Sequence, residues 1–221
     1  MASLALNDQR FERLRRQLVE VIRERGIENL EVLRAFSMVP RHVFLPSAVE
    51  HRAYEDAALP IGYGQTASQP SLQALFLDRL QLKPSDRVLE IGTGTGYQTA
   101  VLSQLVEHVY SIDRVPELTS RARDALDALR VPNVALLTGD GTVGWSRYAS
   151  YDAILVAAAA PDIPSALMTQ LADGGRMLIP LGDRDRQELT LVRKQGETVE
   201  TLGITGCAFV PLIGRFGWPA T

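Results

Sequence analysis

The sequence predicts an α/β fold in which a mostly parallel central sheet carries helices on both faces and follows an N-terminal helical cap. Three observations lead to this prediction. Short apolar runs alternate with helical segments from Arg87 onward, a glycine-rich turn at Gly92–Gly96 joins the first run to a helix, and amphipathic helices precede that region. Strands that alternate with helices are typical of parallel sheets. Such folds place their sites at the carboxyl ends of the strands.

The first two elements are predicted as helices. Residues Asp8 to Arg25 place apolar side chains on one helical face and charges elsewhere, and Gly26 is positioned to end that helix. A second short helix is predicted over Leu30–Met38, because it has to end before Pro40. These two helices form the predicted cap.

Seven apolar runs are predicted as strands of the core. The first five are Val88–Ile91, Val109–Ile112, Val134–Leu137, Ala153–Val156 and Met177–Pro180. The last two, Glu188–Arg193 and Gly203–Pro211, have no helix between them and are predicted as a closing hairpin. The intervening helices are predicted over Tyr97–Leu105, from Pro116, and from near Pro164. The last of these leads into the fifth strand through a predicted turn at Asp173, Gly174 and Gly175.

The composition limits the class of protein. The chain has 221 residues, 46% of them hydrophobic, which fits one folded domain over 1–221. Within it, residues 1–80 are expected to form the cap and an active-site loop, and residues 81–221 a cofactor-binding core. A formal net charge of −3 disfavours nucleic acid as a partner.

Further classes are disfavoured by individual residues. The longest apolar stretch, Ala153–Pro161, is far shorter than the roughly 20 residues that a bilayer requires. Cys207 is the only cysteine, and the three histidines lack the spacing of metal ligands, so we expect no disulfide and no metal site. The first residues turn polar at once, without the pattern of a secretory signal. We expect a cytoplasmic monomer without membrane contact.

The glycine turn predicts a nucleotide site. Its spacing is Gly92-x-Gly94-x-Gly96, and Tyr97 stands where a dinucleotide-binding turn has its third glycine. Glu90 precedes the turn, where a carboxylate would repel pyrophosphate but accept a hydrogen bond from an ammonium. S-adenosylmethionine has such an ammonium. The alternatives are a nicotinamide cofactor and a turn whose glycines only form a corner.

Two further carboxylates follow predicted strands. Asp113 ends the second strand about 20 residues beyond the turn, where a carboxylate can bind ribose hydroxyls. Asp140 and Gly141 follow the third strand, where they suit a contact with the adenine amino group. Together with Glu90, these positions favour S-adenosylmethionine as the cofactor.

A polar segment upstream of the core points to one family. Residues 64–70 read GQTASQP, which resembles a hallmark of the protein-L-isoaspartate O-methyltransferases. The resemblance covers nearly the whole chain and includes five further segments. These are Val39–Phe44, Val88–Thr99, Gly139–Gly141 with Gly144–Trp145 and Tyr151–Asp152, Ala158–Pro161, and Phe209–Leu212. The chain departs from the family pattern at Ala67, where Ile is common, at Ala157, where Thr is frequent, and at Asp113, where Glu is usual.

The resemblance implies a Rossmann-like class I methyltransferase fold and a specific reaction. That reaction transfers a methyl group from S-adenosylmethionine to the free α-carboxyl of L-isoaspartyl residues in damaged proteins and peptides. The ester then forms a succinimide without the enzyme, which initiates repair. The alternatives are a carboxyl methyltransferase acting on aspartate of one dedicated peptide, and a catalytically silent S-adenosylmethionine-binding protein.

The resemblance also implies the site residues. Ser68 is expected to be the catalytic residue, with a positioning role, because a serine without a nearby base is no covalent nucleophile. Gln65 and Thr66 are expected to shape the same segment over the methyl donor, and Val210–Pro211 to border the peptide channel. The expected cofactor-binding residues are Gln65, Thr66, Ser68, Glu90, Gly92, Thr93, Gly94, Thr95, Gly96, Tyr97, Asp113, Arg114, Asp140 and Gly141.

Overall fold

The computed structural model describes residues 9–219, and its first elements form the cap. Helix α1 spans Gln9–Glu24 and α2 spans Leu30–Met38. A 3₁₀ turn over Arg41–Phe44 and a short helix α3 over Ser47–Glu50 follow. Both predicted cap helices are confirmed, although the expected start at Asp8 lies outside the described residues. Helix α2 begins where it does because the Asn29 side chain accepts hydrogen bonds from two backbone N–H groups of the first turn.

A short hairpin separates the cap from the core. Strand β1 (Leu59–Gly62) pairs antiparallel with β2 (Gln65–Ala67), and helix α4 (Pro70–Leu80) follows. Tyr63 and Gly64 form the turn, and both have positive φ angles. The active-site loop predicted before residue 80 is a pair of strands over this stretch, so that prediction is wrong here. The pairing was not predictable from the sequence because the two strands have only four and three residues and the first contains Pro60, and proline in a short run argues against a strand.

The core is a seven-stranded sheet with the order β5-β4-β3-β6-β7-β8-β9. Its strands are β3 (Arg87–Ile91), β4 (His108–Asp113), β5 (Val134–Thr138), β6 (Tyr151–Val156), β7 (Leu171–Gly182), β8 (Gln187–Gln195) and β9 (Thr198–Cys207). Strands β3 to β7 run parallel, whereas β8 and β9 form the predicted antiparallel hairpin. The fold class is therefore confirmed.

Three helices connect the parallel strands, and some boundaries differ from the predictions. Helix α5 spans Tyr97–Leu102, α6 spans Pro116–Ala128 and α7 spans Ser165–Gln170. Helix α5 ends before the predicted Leu105. The predicted turn at residues 173–175 lies inside β7, and the last strand begins at Thr198 and ends at Cys207, short of the predicted Pro211.

Both faces of the sheet are buried at its central strands β3, β4, β6 and β7. Along β3, Val88 packs on the cap side and Leu89 on the opposite side, because successive side chains alternate in a strand. Ile22 of α1 and Phe36 of α2 belong to the same apolar cluster as Val88. Among residues 9–219, no helix combines the length and apolarity needed to cross a membrane.

The strand order places the site. The chain runs from β3 to β4 and β5 on one side and then returns to β6 on the other side of β3. A crevice opens outside the carboxyl ends of strands where the order reverses in this way. The glycine turn leaves β3 at this point.

Candidate active site

The glycine turn has a backbone that side chains would obstruct. Gly92, Gly94 and Gly96 have φ angles of +99°, +54° and +87°, in a region that residues with a Cβ rarely adopt. The Gly92 N–H donates to the carbonyl of Ile112 over 2.8 Å, which fixes the turn against β4. A Cβ at Gly92 would lie 3.2 Å from the Cβ of Ala157. The turn therefore presents backbone, with little side chain, to the crevice.

Three adjoining clefts occupy the crevice and share Ala157 and Val210 as walls. The first, which we call the glycine-turn cleft, is lined by Gly92–Thr95, Asp113, residues 65–68, Gln73 and Gln98, among others. The second, the side cleft, adds Arg114, Gly141, Pro211 and Leu212. The third, the large cleft, has a volume of about 570 Å³ and runs between α4 and residues 205–210.

Asp113 stands at the boundary between the glycine-turn cleft and the side cleft. Its Oδ2 accepts from the Gly94 N–H over 2.7 Å, and its Oδ1 accepts from the Val115 N–H over 2.9 Å. Burial raises the pKa of this carboxyl, although the two backbone N–H groups oppose the shift. Each oxygen retains a second lone pair, so the carboxylate can still accept hydrogen bonds from a ligand.

Glu90 lies beneath the turn and is fully buried. Its Oε2 accepts from the hydroxyl groups of Thr99 and Ser111 over 2.5 and 2.6 Å, and Thr93 in turn contacts the Ser111 hydroxyl over 2.6 Å. Burial raises the pKa of Glu90 to about 7, despite these two hydroxyl groups. This network ties β3, β4 and α5 to the turn, while Oε1 has no partner among the described residues.

Two glutamine amides face the glycine-turn cleft as a pair. Gln73 of α4 donates from Nε2 to the Oε1 of Gln98 on α5 over 2.9 Å. Both residues are buried, and the remaining atoms, Gln73 Oε1 and Gln98 Nε2, have no partner among the described residues. If both amides were flipped, the pair would still leave one donor and one acceptor. Buried polar groups of this kind require a hydrogen-bond partner.

Ser68 lies at the junction of the glycine-turn cleft and the large cleft. It is not the N-cap of α4, since that position belongs to Gln69. Its hydroxyl makes no hydrogen bond to any residue between 9 and 219, and its carbonyl accepts from Arg41. Gln65 and Thr66 line the glycine-turn cleft beside it, and Thr66 also lines the large cleft.

Four residues expected to bind the cofactor line none of the three clefts. Tyr97 is buried against Phe36 and Phe44 of the cap, and Glu90 supports the turn from beneath. Gly96 packs on α6, where an added Cβ would come within 3.0 Å of Ala122. Neighbouring elements cover these three residues, which favours supporting roles over the direct cofactor contacts expected of them.

Asp140 is the fourth. Its Oδ1 accepts from the backbone and hydroxyl of Thr142, and its Oδ2 accepts from the Arg215 N–H over 2.8 Å. The carboxylate expected to reach adenine thus holds the C-terminal segment in place, whereas the neighbouring Gly141 does line the side cleft. An added Cβ at Gly141 would lie 2.4 Å from the Ile91 side chain, so this position has room only for glycine.

The large cleft contains no thiolate nucleophile. Cys207 is half-buried and lines this cleft. Burial raises the pKa of its thiol to about 11, so the thiol stays protonated at neutral pH. Among residues 9–219, no group of three or more His, Cys, Asp or Glu side chains is placed to hold a metal ion.

Comparison with known proteins identifies the family. The family model described as protein-L-isoaspartate(D-aspartate) O-methyltransferase matches residues 13–217. A protein-L-isoaspartate O-methyltransferase from Dictyoglomus thermophilum is 47% identical over 208 residues, which cover 94% of each chain. This chain belongs to the protein-L-isoaspartate O-methyltransferase family.

Solved structures agree with this assignment. A protein-L-isoaspartate O-methyltransferase structure superposes with a TM-score of 0.85 at 31% identity, covering 92% of this chain and 67% of the other. A putative protein-L-isoaspartate O-methyltransferase from Plasmodium falciparum, in complex with S-adenosyl-L-homocysteine, gives a TM-score of 0.79 at 25% identity. That comparison covers 89% of this chain and 97% of the other.

Membership in the protein-L-isoaspartate O-methyltransferase family fixes the reaction class. The protein is an S-adenosylmethionine-dependent enzyme that methylates isoaspartyl residues, which confirms the cofactor and the activity expected from the sequence. The glycine turn and Asp113 were recognisable in the sequence because they follow strand ends. Gln73 and Gln98 were missed, because only the packing of α4 against α5 reveals that their amides are buried and incompletely paired.

Proposed function

We propose that the protein binds the isoaspartyl peptide in the large cleft and that Ser68 positions its α-carboxylate toward the methyl donor. The observation that carries this proposal is the place of Ser68, whose neighbourhood joins the glycine-turn cleft to the large cleft. Its hydroxyl has no hydrogen bond within residues 9–219 and is available to a ligand. The reaction is then the first step of repair, since the methyl ester proceeds to a succinimide.

We propose that the cofactor lies along the glycine-turn cleft and the side cleft. Asp113 accepts from the ribose hydroxyls, and Arg114 and Gly141 border the nucleoside end. Thr93, Gly94 and Thr95 line the cleft at the turn, together with Gly92, and residues Gln65, Thr66 and Ser68 close it from the hairpin side. Glu90, Gly96, Tyr97 and Asp140 keep these walls in place without direct contact.

The residues present fit an amino-acid zwitterion at the other end of the cleft. The Gln73–Gln98 pair leaves one acceptor and one donor, which complement the ammonium and carboxylate of a methionine moiety. A Cβ at Gly92 would crowd Ala157 and narrow the same cleft. When bound, S-adenosylmethionine supplies a methyl group activated by the sulfonium.

The chain's own contribution to chemistry is alignment. A carboxylate is already ionised near pH 7, so the site needs no general base. Ser68 donates a hydrogen bond that orients the α-carboxylate, beside the walls at Ala157 and Val210 that the three clefts share. Alignment of this kind accounts for large rate accelerations without acid–base groups.

The test compares matched peptides that contain either isoaspartate or aspartate at one position, with labelled S-adenosylmethionine. We expect base-labile label on the isoaspartyl peptide alone. In the Ser68→Ala variant we expect kcat to fall about 10- to 100-fold, the effect of losing one hydrogen bond to a charged group. The affinity for S-adenosylhomocysteine, measured by calorimetry, should change less than threefold.

The matched control is Ser120→Ala, because Ser120 is an exposed serine on the surface of α6. It should retain wild-type kcat. Equal losses of kcat and of cofactor affinity in Ser68→Ala would make Ser68 a cofactor ligand only. Label on the aspartyl peptide would favour the alternative of a dedicated aspartyl substrate, and label on neither peptide with intact cofactor affinity would contradict the proposal.

Three expectations about the molecule in its environment stay predictions. We propose that the enzyme acts as a monomer, in the cytoplasm, and without nucleic acid. The net charge of −3 supports the last of these, because nucleic-acid binding relies on a surplus of basic residues.

A further inference from the structure

Arg41 is a fully buried cation in the 3₁₀ turn of the cap. It forms no ion pair with a carboxylate of residues 9–219. A buried charge is costly unless hydrogen bonds compensate for its lost hydration. The surroundings of this guanidinium therefore have to supply that compensation.

Four backbone carbonyls supply it. Nη1 donates to Ala53 and Glu55 over 3.0 and 3.1 Å. Nη2 donates to Ala57 over 3.4 Å and to Ser68 over 3.0 Å. The guanidinium also lies 5.5 Å from the centre of the Tyr97 ring. Because its donors form a rigid planar fork, Arg41 holds the 53–57 segment and Ser68 in a fixed relation.

The same segment also holds the residues after Ser68. Asp56 accepts from the Ser71 N–H over 2.8 Å and from the Gln69 amide over 2.9 Å. The backbone from Ser68 to Ser71 is thus held by Arg41 at its first residue and by Asp56 at its last. Since the Ser68 hydroxyl itself makes no hydrogen bond within the described residues, its direction depends on this backbone.

We propose that Arg41 is a positioning residue that aims the Ser68 hydroxyl by holding the Ser68 carbonyl. Arg41 lines none of the three clefts described above, so it lies outside the surfaces proposed to bind the substrate and the cofactor. This inference rests on the proposed role of Ser68. It extends the site from the clefts into the buried cap.

The test is Arg41→Lys, which keeps the charge but replaces the planar fork by one ammonium that cannot serve four carbonyls. A displacement of about 1 Å at a catalytic group can lower a rate on the order of 100-fold. We therefore expect kcat to fall no further than in Ser68→Ala, by about 10- to 100-fold, with less than threefold changes in the affinity for S-adenosylhomocysteine. Arg52→Lys is the control, because exposed Arg52 contacts the Glu55 side chain from the surface and should leave kcat unchanged.

A double-mutant cycle separates positioning from a general structural role. If Arg41 acts through Ser68, Arg41→Lys should lower kcat less than threefold in the Ser68→Ala background. Independent, multiplicative losses would overturn the inference, as would parallel losses of kcat and cofactor affinity. Wild-type kcat in Ser68→Ala would instead refute the proposed role of Ser68 itself.

Arg41→Met serves as a second variant, because it removes the buried charge together with the fork. We expect the same pattern of reduced kcat with retained cofactor affinity. If neither Arg41 variant folds into a form that binds S-adenosylhomocysteine, Arg41 belongs to the fold alone and the inference is overturned.

Discussion

Gln73 and Gln98 share one hydrogen bond and leave one amide oxygen and one amide nitrogen facing a cleft without a protein partner. The sequence shows both glutamines but not that their amides meet, because 25 residues separate them. Asp113 and the three glycines were predictable by contrast, since their roles follow from local position after a strand. Single residues were therefore predictable where backbone position decides the role, and hidden where tertiary packing decides it.

The paired amides give a ligand-specific prediction. In Gln98→Leu we expect the affinity for S-adenosylhomocysteine to fall about 10- to 100-fold, the effect of losing a hydrogen bond to a charged group. The affinity for methylthioadenosine, which lacks the amino-acid part, should stay within twofold. Calorimetric titration of both ligands checks this, with Gln104→Leu, at an exposed glutamine, as the control. Equal losses for both ligands would show that the cleft has simply collapsed.

Glu90 gives a prediction about pH. Its pKa rises from the ordinary 4.5 to about 7 on folding because it is buried, so the folded state binds its proton more tightly than the unfolded state. The free energy of unfolding should therefore fall by roughly 3 kcal/mol as the pH rises through this range. Glu90→Gln removes this contribution while it keeps an oxygen for Thr99 and Ser111.

Urea unfolding of the cofactor-free protein at pH 5 and pH 8 measures the effect. The free energy of unfolding of Glu90→Gln minus that of wild type should be larger at pH 8 than at pH 5. A wild-type-to-variant difference that is the same at both pH values would show that the carboxyl has an ordinary pKa.

At the scale of elements, the predictions failed where local chemistry and tertiary pairing disagree. The β1–β2 hairpin contains Pro60, which normally argues against a strand, yet it pairs because Pro60 stands opposite Thr66 at a sheet edge. Gly174 and Gly175 read as a turn but lie in a register shift of β7 against β6. Four of the five parallel strands, β3, β4, β6 and β7, were predictable because their apolar runs are buried on both faces.

Helix α4 and strand β7 are joined by one arginine. Arg176 donates to the carbonyls of Leu80 and Gln81 over 2.7 and 2.9 Å, and to that of Asp152 over 2.9 Å, and it pairs with the buried Asp86. Arg176→Met should lower the free energy of unfolding by about 3–5 kcal/mol, because it leaves a buried carboxylate without its cation. Urea denaturation checks this.

The control for Arg176 lies directly beside it. Arg193→Met replaces an exposed arginine of β8 that faces Arg176 in register, and its effect should stay within about 0.5 kcal/mol. Similar losses in the two variants would mean that strand charge, rather than the link to α4, accounts for the stability.

At the scale of the whole molecule, the cap and the core share one apolar cluster. Ile22 and Phe36 of the cap pack in the same cluster as Val88 and Leu155 of the sheet. We therefore expect one cooperative unfolding transition, as the proposed single domain over 1–221 requires. Helical circular dichroism and the fluorescence of Trp145 and Trp218, both in the core region, should give the same midpoint. Earlier loss of the helical signal would reveal a cap that unfolds separately.

The wall of the large cleft carries few charged side chains. Among the described residues that line it, Arg25 is the only one with a charged side chain, and most of the others are small or apolar. In the proposed binding mode, a wall of this kind offers few partners to the side chains that flank a damaged residue. Isoaspartate forms at susceptible positions in proteins that share no recognition sequence. An enzyme that acts on all of them benefits from a cleft that makes few contacts with the side chains next to the isoaspartyl residue.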